Sequence, residues 1–589
     1  MPIKKLSIII PLLGYLFGQT TGKISGKITD KITSESLPGT NIYLEQTPYG
    51  TASDMDGRFS IFNIPPGNYT LKVDMIGYKS IRLEAVKISV NRTLSLDIEL
   101  EQTVIEGEVV TVEVARMAQK KDQTGTIKNI SGDEINALAV ESVGSVINMQ
   151  AGVVNGHFRG GRNTEVTYMI DGVQVDETFG GSSAAVEIQP EAVQDLEVIT
   201  GTFNAEYGRA MSGVVNVVTR DGGPKFEGSA SAGLSFFQTA NTDIFIGLSP
   251  DLNRSQDLKF SLGGPLLGDK ITFFTNVRVQ DNKGHLNGHR IFTVTDISNF
   301  YSDDSLEWTS SKSGDSSYVP MNTGENLSAL LKLSFKLFDG IRVSLLGSLS
   351  DDSWFGYDHG FKYNPDGRAG SYKETSYGSF QLNHMINPKL FYELKVSYLD
   401  NYTGNYLFKD PLDYSLADTA GIYHDGNFHE AKDTVYSYIH DKYLENYGSG
   451  FFTGGQQKNH SILSMIDRTV KFDLNWQANY NHNIKLGYLK ISHNVDQQWR
   501  AIRNKYDGEA SLSDIYKPEI FGDTTVFADL YKVEPQEGAA YLQDKMEFDN
   551  MVINVGLRYD VFDPASVYPS NRRNPSNQLT YKDTSGVLI

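Results

Sequence analysis

The sequence predicts a mainly β protein. It reads as an N-terminal β-sandwich, then a small α/β domain, then a long series of antiparallel strands of the kind that forms a barrel. Three observations predict this. Glycine (55), tyrosine (32) and phenylalanine (30) are abundant among 589 residues while proline (19) is modest, which suits many short strands joined by turns. Segments of alternating polarity recur from about residue 226 onward. Ahead of them, residues 165–220 hold two short apolar strands ending in glycine turns, then a β-branched strand after Gly-Arg-Ala-Met-Ser-Gly.

Bulk properties exclude several function classes. The net charge of −19 and pI of about 5.1 argue against nucleic-acid binding, which needs cations to neutralise phosphates. Without cysteine there is no disulfide framework, thiolate metal site or cysteine nucleophile. Mean hydropathy is −0.33, and after residue 17 no apolar run approaches the roughly 18 residues of a spanning helix. Lys4 and Lys5 precede an apolar stretch at 6–17, followed by small and polar residues. Residues 1–20 therefore read as a cleaved secretory signal.

Residues 21–100 are a compact β pattern. GKISGKITD alternates, Leu37-Pro38-Gly39 and Pro65-Pro66-Gly67 are turns, and Asp54-Met55-Asp56-Gly57 leads tightly into the next strand. Strands at this spacing form a β-sandwich. The runs LPGTNI, GTASDMDGRF, IPPGNYTL and MIGYK resemble the carboxypeptidase-regulatory-like domain, and the resemblance implies a non-catalytic module. Asp54 and Asp56 read as turn residues, because the glutamate that completes a calcium loop is missing.

Residues 101–123 form a linker. Within it Glu108, Val109, Val110, Thr111 and Val112 combine an acidic start with β-branched residues that favour extended structure. With no partner strand evident nearby, such a segment could add itself to another protein's sheet edge. The competing assignment is a last edge strand of the sandwich.

Residues 124–224 form the α/β domain. Ser131-Gly132-Asp133-Glu134 starts a helix, with acids suited to its first turn. A second short helix covers residues 142–149, and Asp171-Gly172 is a strand-joining turn. MQAGV, FRGGR, YMIDGVQV and AEYGRAMSGVVNVVTR follow in order over about a hundred residues. This succession resembles the plug of TonB-dependent outer-membrane receptors. It is closer to the Oar-like branch, which also carries the N-terminal sandwich, than to the SusC-like branch. Gln174 after the Asp-Gly, and AEYGR itself, depart from the SusC-like pattern.

The resemblance implies a four-stranded α/β plug inside a barrel. Its motif falls on Arg159, Gly160, Asp171, Gly172, Glu206, Tyr207, Gly208, Arg209, Gly213 and Asn216, and 108–112 stands where the TonB-coupling box lies. Arg159, Arg162, Arg209 and Arg220 are expected either to face carboxylates on a barrel wall or simply to lie on the surface.

Residues 225–589 give about eleven alternating strands, among them KITFFTNVRVQD and NVGLRYD. One face suits lipid and the other a wet lumen, and long polar stretches at 285–322, 403–460 and 500–534 alternate with short turns. The family barrel has about 22 strands. The end DTSGVLI lacks a terminal aromatic strand, so the expectation is an incomplete transmembrane β-barrel.

No Walker loop, zinc motif or nucleophile elbow is present in the sequence. The expectation is no enzyme, no cofactor, no metal and no catalytic residue. The resemblance implies a receptor of the Gram-negative outer membrane that takes up a ligand by plug displacement. Its partners would be a TonB-like energy transducer, outer-membrane lipid and an extracellular ligand of unidentified class. A surface lipoprotein partner stays open. The alternative is a secreted or surface β-sandwich adhesion protein.

Overall fold

The computed structural model describes residues 21–103, 109–113, 126–177, 184–300, 302–338, 340–412, 421–424, 427–430, 438–439, 450–504, 518–548 and 551–566. The signal segment, Glu108 and the DTSGVLI end lie outside the described residues.

The N-terminal strands are β1 (Gly22–Asp30), β2 (Asn41–Leu44), β3 (Gly50–Ala52), β4 (Arg58–Ile64), β5 (Gly67–Asp74), β6 (Ser80–Ile88), β7 (Thr93–Ser95), β8 (Ile98–Leu100) and β9 (Val109–Glu113). They form two sheets, one ordered β4-β1-β7 with β8 also on β1, the other β3-β2-β5-β6-β9. Alternation sends Ile24, Ile28 and Ile61 from one sheet and Ile42, Leu44, Leu71 and Val73 from the other into a common core. At the β3–β4 turn, Asp54 accepts from the amides of Asp56 and Arg58, each at 2.9 Å. Gly57 has φ +73°, and a Cβ there would meet the Ile28 carbonyl at 2.6 Å, so the turn requires glycine.

The run at 109–112, read from sequence either as a coupling segment with no evident partner or as a last edge strand of the sandwich, has a partner strand within the chain. β9 pairs in parallel with β6, from Ser80↔Val109 to Glu84↔Glu113. β6 is left without a second neighbour by the rest of the sandwich, and the β-branched run fills that open edge.

The plug comprises β10 (Ile127–Ser131), α1 (Gly132–Asn136), α2 (Val143–Asn148), β11 (Val153–Val154), β12 (His157–Phe158), β13 (Val166–Ile170), β14 (Val173–Gln174), β15 (Val193–Ile199) and β16 (Gly213–Thr219). Ser131 and Glu134 form a reciprocal capping box on α1, and Ser142 caps α2. The main sheet runs β10-β15-β16-β13-β14. It has five strands rather than four, because the Asp-Gly turn returns the chain as the two-residue β14. Every residue of β16 is buried, as an apolar run covered on both faces should be.

The remaining long strands make one antiparallel sheet, the wall. Its order begins β17 (Glu227–Ser235), β18 (Ser255–Leu267) and β19 (Ile271–Asn282). Two loop hairpins follow, β20 (Asn287–His289) with β23 (Tyr318–Pro320), and β21 (Ser298–Asn299) with β22 (Thr309–Ser310). The wall continues with β24 (Thr323–Phe338), β25 (Ile341–Phe355), β26 (Gly370–Asn387) and β27 (Leu390–Tyr406). After the hairpin β28 (Gly421–His424) and β29 (Asn427–Glu430) come β30 (Asn459–Gln477) and β31 (His482–Ala501). The pair β32 (Arg503–Asn504) and β33 (Pro518–Glu519) precedes β34 (Ala528–Val533), β35 (Gln536–Phe548) and β36 (Met551–Asp563). The sheet has 12 strands, with β34 beside β31, and among the described residues it is not closed: β17 and β36 do not pair.

The wall's two faces differ in chemistry. Along β24, Ser328, Leu330, Lys332 and Ser334 are buried on the inner face, while Leu327 and Leu331 are exposed on the outer one. Outward apolar side chains recur at Leu345, Leu349, Val396, Val470, Leu486 and Leu542. The plug packs on the inner face, where Phe274, Leu330, Leu346, Tyr377 and Leu399 of the wall join its apolar cluster.

Candidate functional site

The site is the seam between plug and wall. Its centre is the β13–β14 turn, where Asp171 (φ +48°) and Gly172 (φ +77°) both adopt the left-handed region. A two-residue turn with both φ positive is the type that matches strand twist, and it selects Asp-Gly. Asp171 is 2% exposed. Its carboxylate accepts from the Thr219 amide at 2.9 Å, the Thr219 hydroxyl at 2.7 Å and Lys332 Nζ at 3.1 Å. Lys395 donates to the Asp171 carbonyl at 2.9 Å and Lys471 to the Gly172 carbonyl at 3.3 Å. Asn216 Oδ1 accepts from the Gly172 amide at 3.0 Å. Three wall lysines, on β24, β27 and β30, thus hold one plug turn.

Burying lysines is costly unless each is paired. Lys395 and Lys471 face each other directly across β27 and β30, and so do Glu393 and Asp473. Opposite charges instead meet along each strand: Lys395 lies 3.9 Å from Glu393 and Lys471 3.6 Å from Asp473. Nearby, Asp221 at the end of β16 contacts Arg342, Ser334 and Lys332. Burial opposes the Asp221 anion, but Arg342 and Lys332 outweigh it and hold its carboxyl well below the usual range.

The segment 204–209 is fastened to the last wall strands. Glu206 pairs with Lys485, the Ala205 amide donates to Gln543 at 2.9 Å, and Asn554 Nδ2 donates to Asn204 Oδ1 at 2.6 Å. Arg558 donates to the Glu206 carbonyl at 3.0 Å. A Cβ on Gly208 would lie 2.3 Å from the Arg558 guanidinium, so a side chain there would push Arg558 off this contact. Tyr207 turns to the other side and accepts from Asn91 of the sandwich at 3.2 Å. At Gly213 a Cβ would lie 2.4 Å from the ring of the fully buried Phe158.

Two carboxylates in this region diverge. Glu197, fully buried on β15, is pushed up to about 8 by burial and by the neighbouring Glu206 and Asp195. Burial would raise Glu206 too, but Lys485 and Lys471 bring it down to about 2.

The four plug arginines separate. Arg209 lies 3.4 Å from the wall carboxylate Glu537 and 3.9 Å from Asp176. Arg220 pairs within the plug, 3.7 Å from Asp133. Arg159 (φ +48°) donates to Thr126 at 2.6 Å and is exposed beside Gly160, and Arg162 is exposed as well. Val109, Val110, Thr111 and Val112 are in β9, which pairs with β6 of the sandwich. Among the described residues no group of three or more His, Cys, Asp or Glu is placed to hold a metal ion.

Two family descriptions match the chain: the CarboxypepD_reg-like domain over residues 24–112 and the TonB-dependent Receptor Plug Domain over residues 119–215. The chain thus carries the plug domain of TonB-dependent receptors directly after a CarboxypepD_reg-like domain. The TonB-dependent transporter Oar of Myxococcus xanthus is 29% identical over 294 residues, covering 44% of this chain and 27% of that protein. The TonB-dependent receptor P3 of Formosa agariphila is 27% identical over 202 residues, covering 32% of this chain and 19% of that protein. The chain therefore matches about a quarter or less of the length of these curated relatives. The outer membrane transporter YddB from Escherichia coli is similar in structure, with a TM-score of 0.48 and 12% identity, over 76% of this chain and 57% of that one. The unliganded ferric citrate transporter FecA has a TM-score of 0.45 and 12% identity, over 75% and 56%.

The seam between plug and wall has a polarity that reading the plug alone reverses. Cations sit mostly on the wall and anions on the plug: Lys332 with Asp171, Arg342 with Asp221, Lys485 with Glu206, Lys373 with Glu177 and Arg278 with Glu141. Only Arg209 among the four singled-out arginines meets a wall carboxylate in these contacts. The missed residues are single cations at inward positions of alternating strands, as in LLKLS, ELKVS and TVKFD. Their parity with Ser328, Ser397 and Thr469 was the available signal.

Proposed function

We propose that the protein is an energised outer-membrane transporter of the TonB-dependent type, with no catalytic step of its own. In this reading residues 21–100 are the sandwich, 101–123 the coupling linker, 124–224 the plug and 225–589 the barrel wall. The seating of the plug on the inner wall face carries the reading. Hydrogen bonds and ion pairs hold it there while the outer face exposes apolar side chains suited to lipid. The charges that fasten this seam are attractive without being irreversible. A ligand would bind at the long-loop end. A TonB-like transducer would pair with Glu108–Val112 and deliver the force that loosens the plug. The outer membrane holds no nucleotide supply, so the work must arrive through the chain.

The test is deletion of residues 106–114 in the complete protein. Surface binding of ligand should persist while energy-dependent uptake is lost. Uptake at the parental rate would refute the coupling assignment.

A further inference from the structure

The sandwich has a place in the fold that its reading as a non-catalytic module leaves without a task. It lies at the end of the wall where the strands are joined by short turns. There it touches the turn-proximal residues of three wall hairpins. Asn63 and Asn383 exchange side-chain hydrogen bonds (Asn383 Nδ2 to Asn63 Oδ1 at 2.6 Å), Arg58 stacks 4.7 Å from the Tyr480 ring, and Lys23 pairs with Glu547 at 2.8 Å. Thr93 also donates to Glu547, at 3.0 Å.

The same module grips the plug chiefly through the turn at residues 89–92. Val90 is fully buried, and its amide donates to Asp195 at 3.1 Å. Asn91, at φ +55°, directs Nδ2 to Glu197 and to the Tyr207 hydroxyl, both at 3.2 Å. Asn129 of β10 reaches both the Val90 carbonyl (3.5 Å) and Asp195 (3.2 Å). Lys87 adds bonds to Ser131 and Glu134 at the N-terminus of α1.

Between sandwich, plug and wall is a polar cavity of about 130 Å³. Lys23 and Asn91 line it from the sandwich, Glu206 and Asn216 from the plug, and Lys471 and Asp473 from the wall. The seam that holds the Asp171–Gly172 turn therefore continues to the short-turn mouth, and the sandwich is what covers it.

The two joints differ in kind. Plug and wall share an apolar cluster that includes Phe274, Leu330 and Leu346, whereas the sandwich's core consists of its own residues alone. Its contacts outward are hydrogen bonds, ion pairs and a cation on a ring. A polar joint of this sort releases more readily than one with a shared apolar core. In addition, β9 is the outermost strand of the sandwich's own sheet, so tension on it enters the sandwich before the plug.

We propose that the N-terminal sandwich is a second gate, which seals the short-turn mouth of the plug–wall seam and lifts before the plug is displaced. This rests on the transport reading, with β9 as the strand that receives the load.

The chain has no cysteine, so a single reporter thiol is unambiguous. Val90→Cys is nearly isosteric and lies under the closed gate. In the complete protein in cells, its labelling by a maleimide small enough to cross the outer membrane should be slow when the cells are de-energised. Energising them should speed it about tenfold, because labelling follows the population of the lifted state. Equal rates in energised and de-energised cells would overturn the gate.

Lys23→Ala combined with Asn63→Ala removes wall contacts without touching the plug. It should raise labelling of Val90→Cys by a similar factor in de-energised cells, and an unchanged rate there would also overturn the gate. Deleting residues 106–114 separates the two ideas. If energised labelling still accelerates in the deletion, the coupling assignment fails while the gate stands.

Discussion

Asp171 and Glu197 are both buried acids of the plug, and their surroundings treat them oppositely. Asp171 meets Lys332 on the wall, whereas Glu197 meets other acids and the amides of Asn91 and Asn216. Lys332→Met should leave Asp171 without its cation and lower stability by about 3–5 kcal/mol, the usual cost of breaking a buried pair. Asp171→Asn with Lys332→Met should recover much of that loss, because no lone charge stays buried. Denaturant midpoints of the single and double variants check this, and strictly additive losses would count against it. Glu197 has the opposite sign. A carboxyl at about 8 in the folded chain against an ordinary 4.5 stabilises fully below 4.5 and loses that contribution as pH rises toward 8. Glu197→Gln should therefore raise the melting temperature relative to the parent increasingly from pH 5 to pH 9, with little difference at pH 4. Glu206, held at about 2, acts in the other window: its contribution is present above 4.5 and is lost as pH falls toward 2.

Individual elements were legible where their signals were local. The Ser131–Glu134 capping box, the Asp171-Gly172 turn and the alternation of β24 all act over a few residues, and the chain states them directly. Gly213 is a case in between. Its need for glycine comes from Phe158, 55 positions earlier in the chain (213 − 158), through β16 packing on the β12 hairpin. Gly213→Ala should cost about 1–3 kcal/mol by overpacking, read as a fall in the denaturant midpoint of the complete protein. The segment that forms β9 stood between two assignments for a similar reason. Its β-branched run predicts a strand, but nothing in the run says whether the partner edge is inside the chain. Both statements hold together if β9 is an edge strand of the sandwich that still has one free side for a second chain.

On the scale of the whole molecule, the mainly β architecture was visible because period-two alternation is imposed by the two environments of a wall strand. The seam was not visible, because its contacts span 161 positions from Asp171 to Lys332 and 279 from Glu206 to Lys485. Alternation shows that Lys332, Lys395 and Lys471 share a face with small polar residues, but not that they converge on one turn. If the outward apolar side chains of β24 to β35 meet lipid, as proposed, the complete protein should partition with outer membranes and need detergent for extraction. Recovery in a detergent-free soluble fraction would favour an adhesion protein instead. The central claim is that the plug must leave its wall contacts for transport. Asn204 and Asn554 touch across that seam at 2.6 Å, and their replacement by cysteines in the otherwise cysteine-free chain, joined by a short thiol-reactive linker with a cleavable disulfide, gives a reversible tether. With the linker in place in the complete protein, ligand should still bind at the surface while energised uptake stops, and its reductive cleavage should restore uptake. Undiminished uptake through a fully linked pair would contradict plug displacement.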